Sequence, residues 1–451
     1  MKKKSTISHW SYLTLLGLFF TIVSLVACDD DKVGTDPIVV STIYLQDVNS
    51  TVQDRKVSFA RLGQLLRIEG SGFMGLKKVY INGYETFFNT VYVSNNSMLI
   101  QISGDTPTTD ADDSVRNTIR LLNDGNETIY SFEIRSEAPS ITNISNTLPN
   151  PGEEITVYGT GLTEIDKVVF PGGIEVTTGI TYDEDKEEFF TVTVPNGVSD
   201  NGGSLYVETA NGGAYSPAYF NFKQGLLLNF DGVGTLGEFG NTIRQDALHS
   251  VSIGEGNVSQ GNYVYHGPTG IDPFAAGTNR NSEVFTGGNE SWRTQFANSI
   301  PPTTPLEEVG FQFDVFVPEP WQNSGFIQIL LINNFNGGEW NGATYNYVPW
   351  IVGGKVKAFQ TTGWTTVTIP FTEFYSFTTG EFTFEDVLVV RESATYANFG
   401  FFFNNSNILL SNITGANSAV EFLSSSTSAK VYTDNWRIVS LAVPVVSDFE
   451  D

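Results

Sequence analysis

Short runs in which apolar and polar side chains alternate recur along most of this chain, separated by segments rich in Gly, Asn and Pro. The runs VGFQFDVFVP (309–318) and WTTVTIPF (364–371) show a period of two. That period sets one apolar face on a core and turns the other face outward. β-Branched and aromatic residues fill pleated surfaces well, and Gly-rich turns link them, so the pattern predicts an all-β protein.

One pattern occurs twice. LRIEGSGFMGLKKVYING (66–83) aligns without a gap on ITVYGTGLTEIDKVVFPG (155–172), and Gly70, Gly72, Lys78 and Val79 fall 89 residues before Gly159, Gly161, Lys167 and Val168. A repeat of that length is a small domain duplicated rather than a solenoid. Each copy reads as a strand, a G-x-G turn that uses the positive φ open to glycine, a short loop and a second strand. From residue 225 the texture changes. LLLNFDGVGTLG (226–237) opens a larger unit and VYTDNWRIVSL (431–441) closes it. About 220 residues of strands with long loops suit a sandwich of jelly-roll type.

Composition narrows the partners. The chain has 451 residues, 40% hydrophobic, enough to bury several cores, and a formal charge of −26. That charge argues against nucleic acid, which needs Lys and Arg clusters, and disfavours polyanionic sugars. A neutral partner is expected. The single cysteine, Cys28, follows Lys2, Lys3, Lys4 and an apolar stretch over 12–27, the pattern of a secretory signal.

The LVAC sequence ending at Cys28 resembles a lipobox, which implies cleavage before Cys28 and lipidation of its thiol. The DDDK that follows (29–32) is similar to the export tag of Bacteroidota surface lipoproteins, which implies an outer-membrane anchor facing the cell exterior. The repeated unit, above all PSITNISNTLPNPGEEITVYGTGL (139–162), resembles the IPT/TIG domain, an immunoglobulin-like sandwich. The first copy departs from that family at its start, where the usual proline is missing. In the C-terminal unit, Phe230-Asp231 and Asp434-Asn435-Trp436-Arg437 fit the opening and closing frame of carbohydrate-binding modules. DVFVPEPWQNSGFIQILL, YVPWIVGG and GWTTVTIPFTEF resemble the C-terminal domain of Bacteroidota surface glycan-binding proteins, whose founding members bind xyloglucan.

These resemblances give the expected organisation: a signal peptide over 1–27, an acidic linker over 28–37, two tandem IPT/TIG sandwiches over 38–137 and 138–222, and a larger jelly-roll-type sandwich over 223–451. Short joints near 137–139 and 224–225 suggest limited bending. The resemblance implies a lipoprotein that binds a neutral polysaccharide, such as xyloglucan, mixed-linkage glucan or laminarin, without cutting it. It also implies a SusC/SusD-type porin-and-lid complex as partner. No cofactor is expected beyond a structural Ca²⁺ of the kind jelly-roll modules often hold, for which Asp231 and Asp434 are a loose match.

The aromatic residues carry the candidate chemistry. The axial C–H face of a β-linked glucose stacks on a flat ring, removing apolar area from water and gaining dispersion contact. Trp340, Tyr345, Tyr347 and Trp350 crowd into a stretch otherwise rich in Gly, Asn and Pro, and Trp292 sits in the polar GGNESWRTQF. These five are the candidate sugar platforms, and Tyr345 and Tyr347 share a strand parity. Trp364 and Trp436 read as core, and Trp321 fits either role. Catalytic signals are weaker. His249 and His266 read as ordinary surface or hydrogen-bonded histidines, and no P-loop, G-x-S-x-G or E-x-D-x-x-E motif occurs. Glu187–Glu188 and Glu307–Glu308 would point to opposite faces of a strand. A hydrolase or lyase with an unfamiliar site, and an adhesion protein working through its Ig-like domains, are the alternatives.

Overall fold

The computed structural model describes residues 36–48, 52–183, 186–236, 248–249, 261–267, 273–287, 291–332, 343–414 and 419–445. Cys28 and Trp340 lie outside them. The chain divides into two compact units between Glu137 and Ala138.

The first unit pairs a sheet of Asp54–Lys56, Val39–Gln46, Leu65–Ser71 and Ser97–Gln101 with a sheet of Tyr84–Glu85, Lys78–Ile81, Thr118–Leu122 and Glu127–Ser131. The inward residues of both, including Ile43, Leu66, Ile68, Val79, Met98 and Leu121, form its core. The repeated G-x-G has two separate physical causes. A Cβ on Gly70 would stand 1.8 Å from the Val39 carbonyl oxygen, and one on Gly159 would stand 1.7 Å from that of Ser140. The first glycine of each copy therefore admits a neighbouring backbone, beside a register shift in that strand pair. The second glycine, Gly72 or Gly161, takes the positive φ of the turn.

The second copy has the same two-sheet plan. Ser140–Ile144, Glu154–Thr160, Phe189–Thr193 and Ile180–Tyr182 face Ile174–Val176, Ile165–Phe170, Tyr206–Thr209 and Gly212–Tyr215. The C-terminal domain follows after a 3-10 turn, Lys223–Gly225. Its first sheet runs in the order Leu248–His249, Tyr263–Tyr265, Tyr432–Ser440, Val309–Phe316, Thr365–Pro370, with Leu226–Leu228 also pairing Tyr432–Ser440. Its second sheet runs Thr278–Phe285, Gly400–Asn405, Phe326–Leu330, Thr344–Tyr347. Phe401 and Trp436, one from each sheet, stack with centroids 3.9 Å apart and lock the two layers face to face.

The joint at 224–225 is not a hinge. The second Ig-like copy and the C-terminal sandwich form one compact unit with a continuous core. Thr366 donates its N–H to the Ser145 carbonyl at 2.8 Å, and Thr147 donates its N–H to Thr366 Oγ1 at 3.0 Å. Below them lies Arg437, fully buried, 2.9 Å from Asp314 Oδ1 and 2.8 Å from Thr147 Oγ1. Its remaining donors reach Gln312 Oε1 and the Asn435 carbonyl. Asn435, at φ 52°, sits where the register between 309–316 and 432–440 shifts, and its amide donates to Asp314 Oδ2 at 2.9 Å. Asn435 and Arg437 of the D-N-x-R frame thus serve a polar cluster, while Trp436 fills the core.

Arg437→Ala leaves Asp314 buried without its cation. The expected cost is about 3–5 kcal/mol, the usual loss when one partner of a buried pair is removed. Chemical denaturation of the whole chain measures it, and a loss under about 1 kcal/mol would show the pair to be dispensable.

Candidate functional site

The second sheet of the C-terminal domain has two unlike faces. Its inner face carries Ile327, Ile329, Phe401, Phe403, Tyr345 and Tyr347 toward the first sheet. Its outer face is read from the register. Glu283 stands opposite Phe402, Phe402 opposite Gln328, and Gln328 opposite Asn346. Directly opposed residues project to the same side, so these four form a row across all four strands, at right angles to the chain direction. Phe402 joins Phe285 and Leu330 in a small apolar cluster separate from the main core. Asn404 donates to Gln328 Oε1 at 3.1 Å. Asn346 lies on the edge strand, half-buried, and its Oδ1 is buried without a hydrogen-bond partner. Glu283 and Phe402 are buried, so the part of the row open to a ligand is the amide pair Gln328 and Asn346, which suits the hydroxyls of a polyhydroxylated ligand at the sheet edge.

The sequence reasoning placed the rings differently, and the structure corrects it. Trp292 is 2% exposed rather than on a surface loop. Ser291 caps the short helix Trp292–Gln295, and the ring lies between Phe296, Phe371 and Phe399 under the Arg391 guanidinium, 3.5 Å from its centroid. Trp350 is also 2% exposed, and its indole donates to the Gly325 carbonyl at 2.8 Å. Tyr345 and Tyr347 do share a face, but it is the inner one. Tyr347 is buried against Phe313, Trp321 and Phe359. Tyr345 is half-buried on Phe374, with Glu373 near its hydroxyl. Burial pushes the Tyr345 hydroxyl pKa well above its usual value, and burial raises that of Glu373. The sharing of a face followed from strand parity; which face it was depended on the opposite sheet. Trp321 and Trp436 are core, and Trp364 is half-buried against Tyr263 and Phe316. Beside the edge strand, Tyr375 in the turn Tyr375–Phe377 is 67% exposed.

The row itself was missed. Its signal is present in NSEVF, FIQILL, ATYNY and GFFFNN, where the positions that alternate with inward residues carry Glu, Gln and Asn. Those residues read as ordinary outward polarity until the strand order sets them side by side.

His266 is fully buried beside the stacked Phe401–Trp436 pair, with Nε2 2.7 Å from Thr433 Oγ1, so it is the hydrogen-bonded histidine expected of it. Desolvation lowers its pKa to about 3, which keeps it neutral. The pair singled out for Ca²⁺ fits that ion poorly. Both oxygens of Asp231 accept the Asn262 N–H, those of nearby Asp314 are taken by Arg437, Thr366 and Asn435, and no group of three His, Cys, Asp or Glu converges among the described residues. Asp434 is buried, with Oδ1 accepting the Asn435 N–H and Oδ2 without a partner. Burial, then the Asp314 and Asp231 charges, raise its pKa to about 9, so it carries a proton at neutral pH.

That proton has a measurable consequence. Between about pH 4 and 9 the folded state binds a proton that the unfolded chain releases, so stability falls as pH rises through this window. Asp434→Asn keeps an oxygen for the Asn435 N–H and removes the titrating group. It should flatten the pH dependence and melt above the parent at pH 8, with little difference at pH 4. A variant that melts lower, together with a chelator that destabilises the parent, would show instead that a cation occupies the position.

Comparison with known proteins bears on the same region. Residues 220–440 match the family described as the surface glycan-binding protein B xyloglucan binding domain. An IPT/TIG domain-containing protein of Bacteroides ovatus is 28% identical over 158 residues, a match that covers 35% of this chain and spans only 32% of that relative. The crystal structure of surface glycan-binding protein PbSGBP-B from Prevotella bryantii superposes with a TM-score of 0.61 at 18% identity, covering 91% of this chain and 100% of that one. SGBP-B from a complex xyloglucan utilization locus in Bacteroides uniformis gives a TM-score of 0.47 at 17% identity, covering 89% of this chain and 99% of that one. The C-terminal sandwich belongs to the surface glycan-binding protein B xyloglucan-binding domain family, on a chain that has the fold of a surface glycan-binding protein of that type.

Proposed function

We propose that this chain captures a neutral β-glucan at the cell surface and holds it without cutting it, for uptake by a SusC/SusD-type porin-and-lid complex. In this reading Cys28 carries the lipid that anchors the protein to the outer membrane, facing outward. The observation that carries the binding site is the in-register row Glu283–Phe402–Gln328–Asn346 on the outer face of the four-stranded sheet. The amides of Gln328 and Asn346 supply donors and acceptors for glucan hydroxyls at the sheet edge. Phe402, Phe285 and Leu330 are buried and pack on one another, so they hold the row in place and leave the stacking on sugar to another ring. Trp340 belongs to the sequence joining the strands Phe326–Leu330 and Thr344–Tyr347, whose edge bears Asn346. It stays the candidate stacking platform among the five rings. The domain family supports xyloglucan or a related β-glucan as the first ligand to try. The net charge of −26 supports a neutral rather than an acidic polysaccharide.

The test is affinity electrophoresis and calorimetry on xyloglucan, mixed-linkage glucan and laminarin, with reducing ends assayed in the same samples. Asn346→Ala and Gln328→Ala should each weaken binding by roughly 1 kcal/mol, about fivefold. Trp340→Ala should cost about 2 kcal/mol, roughly thirtyfold, with melting temperature nearly unchanged in all three. Undiminished affinity in every variant would remove the row from the site. New reducing ends would overturn the non-enzymatic reading.

A further inference from the structure

The first Ig-like unit carries an open cleft of about 420 Å³, lined by Gly63, Tyr84, Glu85, Phe87, Gln101 and Ser103 among others. Its most unusual feature is Phe87, which is 86% exposed. The ring is held outward on purpose-built neighbours rather than left on a loose tip. Thr86, just before it, is buried and donates its N–H to the Val79 carbonyl at 2.9 Å. Phe88, just after it, packs on the core. Asn89 then caps the turn Thr90–Tyr92, its Oδ1 accepting the Val91 N–H at 3.0 Å. With both neighbours anchored and alternation fixed, Phe87 has only the outer side to occupy. The fold does not require this. In the second copy the corresponding hairpin strand, Ile174–Val176, carries no ring, and Ile174 and Val176 pack partly buried against the core.

The lining also restricts the ligand. No Lys or Arg contributes to it, and its charged member is the carboxylate Glu85, paired with Lys78 at 2.9 Å. That excludes phosphate, sulfate and uronate groups. Tyr84 and Phe87 offer ring surface, and Gln101 and Ser103 offer polar atoms. The Gln101 amide nitrogen is committed to the Gly63 carbonyl at 3.0 Å, which fixes the side chain and leaves its oxygen as an acceptor. Exposed ring, fixed amide and hydroxyl in a shallow cleft match the needs of a sugar, which offers an apolar face and a rim of hydroxyls.

We propose that this cleft is a second saccharide site, taking about one or two sugar units of a neutral glycan, with Phe87 as its stacking platform. It shares with the C-terminal reading only the class of ligand, and stands or falls separately. Two sites on one chain would let a polymer bind more tightly than a short oligosaccharide does at either one.

The experiment is hydrogen–deuterium exchange on the full-length chain with cellohexaose and xyloglucan oligosaccharides at low-millimolar concentration. Slowed exchange is expected over 84–88 and 101–104, in the parent and equally in Gln328→Ala. Phe87→Ala should weaken that protection about tenfold or more while leaving the melting temperature unchanged. Protection confined to the C-terminal domain would overturn the cleft and leave the C-terminal reading intact. Protection at the cleft alone would support this site and overturn the other, and protection at neither would overturn both. Phe87-dependent self-association or protein capture without saccharide protection would overturn the proposal in favour of a protein-docking loop.

Discussion

A buried guanidinium organises the larger unit of this protein. Arg437 is fully out of water, and a charge in that position is tolerable only when its donors are met. Asp314 supplies the countercharge from the neighbouring strand, Gln312 and the Asn435 carbonyl take further donors, and Thr147 reaches in from the second Ig-like copy. Since each partner is needed, the cluster fixes three things together. It sets the register of 432–440 against 309–316, places the shift at Asn435, and seats the second Ig-like copy on the C-terminal sandwich. Apolar packing alone would tolerate a slide along this interface, whereas directional hydrogen bonds do not.

The register fixed there passes to the other layer through the core. Trp436 stacks on Phe401, and Phe401 lies in the strand whose next residue, Phe402, is buried on the other side of the sheet, beside Gln328 in the candidate row. The row Glu283–Phe402–Gln328–Asn346 therefore hangs on the same alignment that the buried charge enforces. A one-residue slip would exchange Phe401 and Phe402 and put the amides into the core. Stability and recognition are coupled in this way without sharing a residue.

The rings illustrate a general competition. A tryptophan stacked on a sugar and a tryptophan filling a core gain from the same removal of apolar area from water. Trp292, Tyr347 and Trp350 settle into the core, where each meets other aromatic rings: Phe296, Phe371 and Phe399 around Trp292, Phe313 and Trp321 around Tyr347, and Phe422 beside Trp350. Their polar tips find partners where the backbone allows it, as Trp350 does at Gly325. Neighbouring Gly, Asn and Pro mark turns, but a turn at the end of a strand still delivers its next side chain inward.

The sequence carries the all-β class, the duplicated Ig-like unit and the change of texture at residue 225 in patterns legible along the chain. It could do so because period-two alternation and the positive φ that Gly72 and Gly161 take in their turns are local requirements. It also determined that Tyr345 and Tyr347 point the same way, since parity along one strand is local too. The tertiary structure alone decided which way that is, because inside and outside are defined by a second sheet assembled from distant segments. It alone brought Glu283, Phe402, Gln328 and Asn346 into one row, through strand pairings that join residues from 283 to 402. It alone turned the expected joint at 224–225 into a sealed interface, because the charge buried there belongs to Arg437, far along the chain, and reaches Thr147 only when the sandwich has closed.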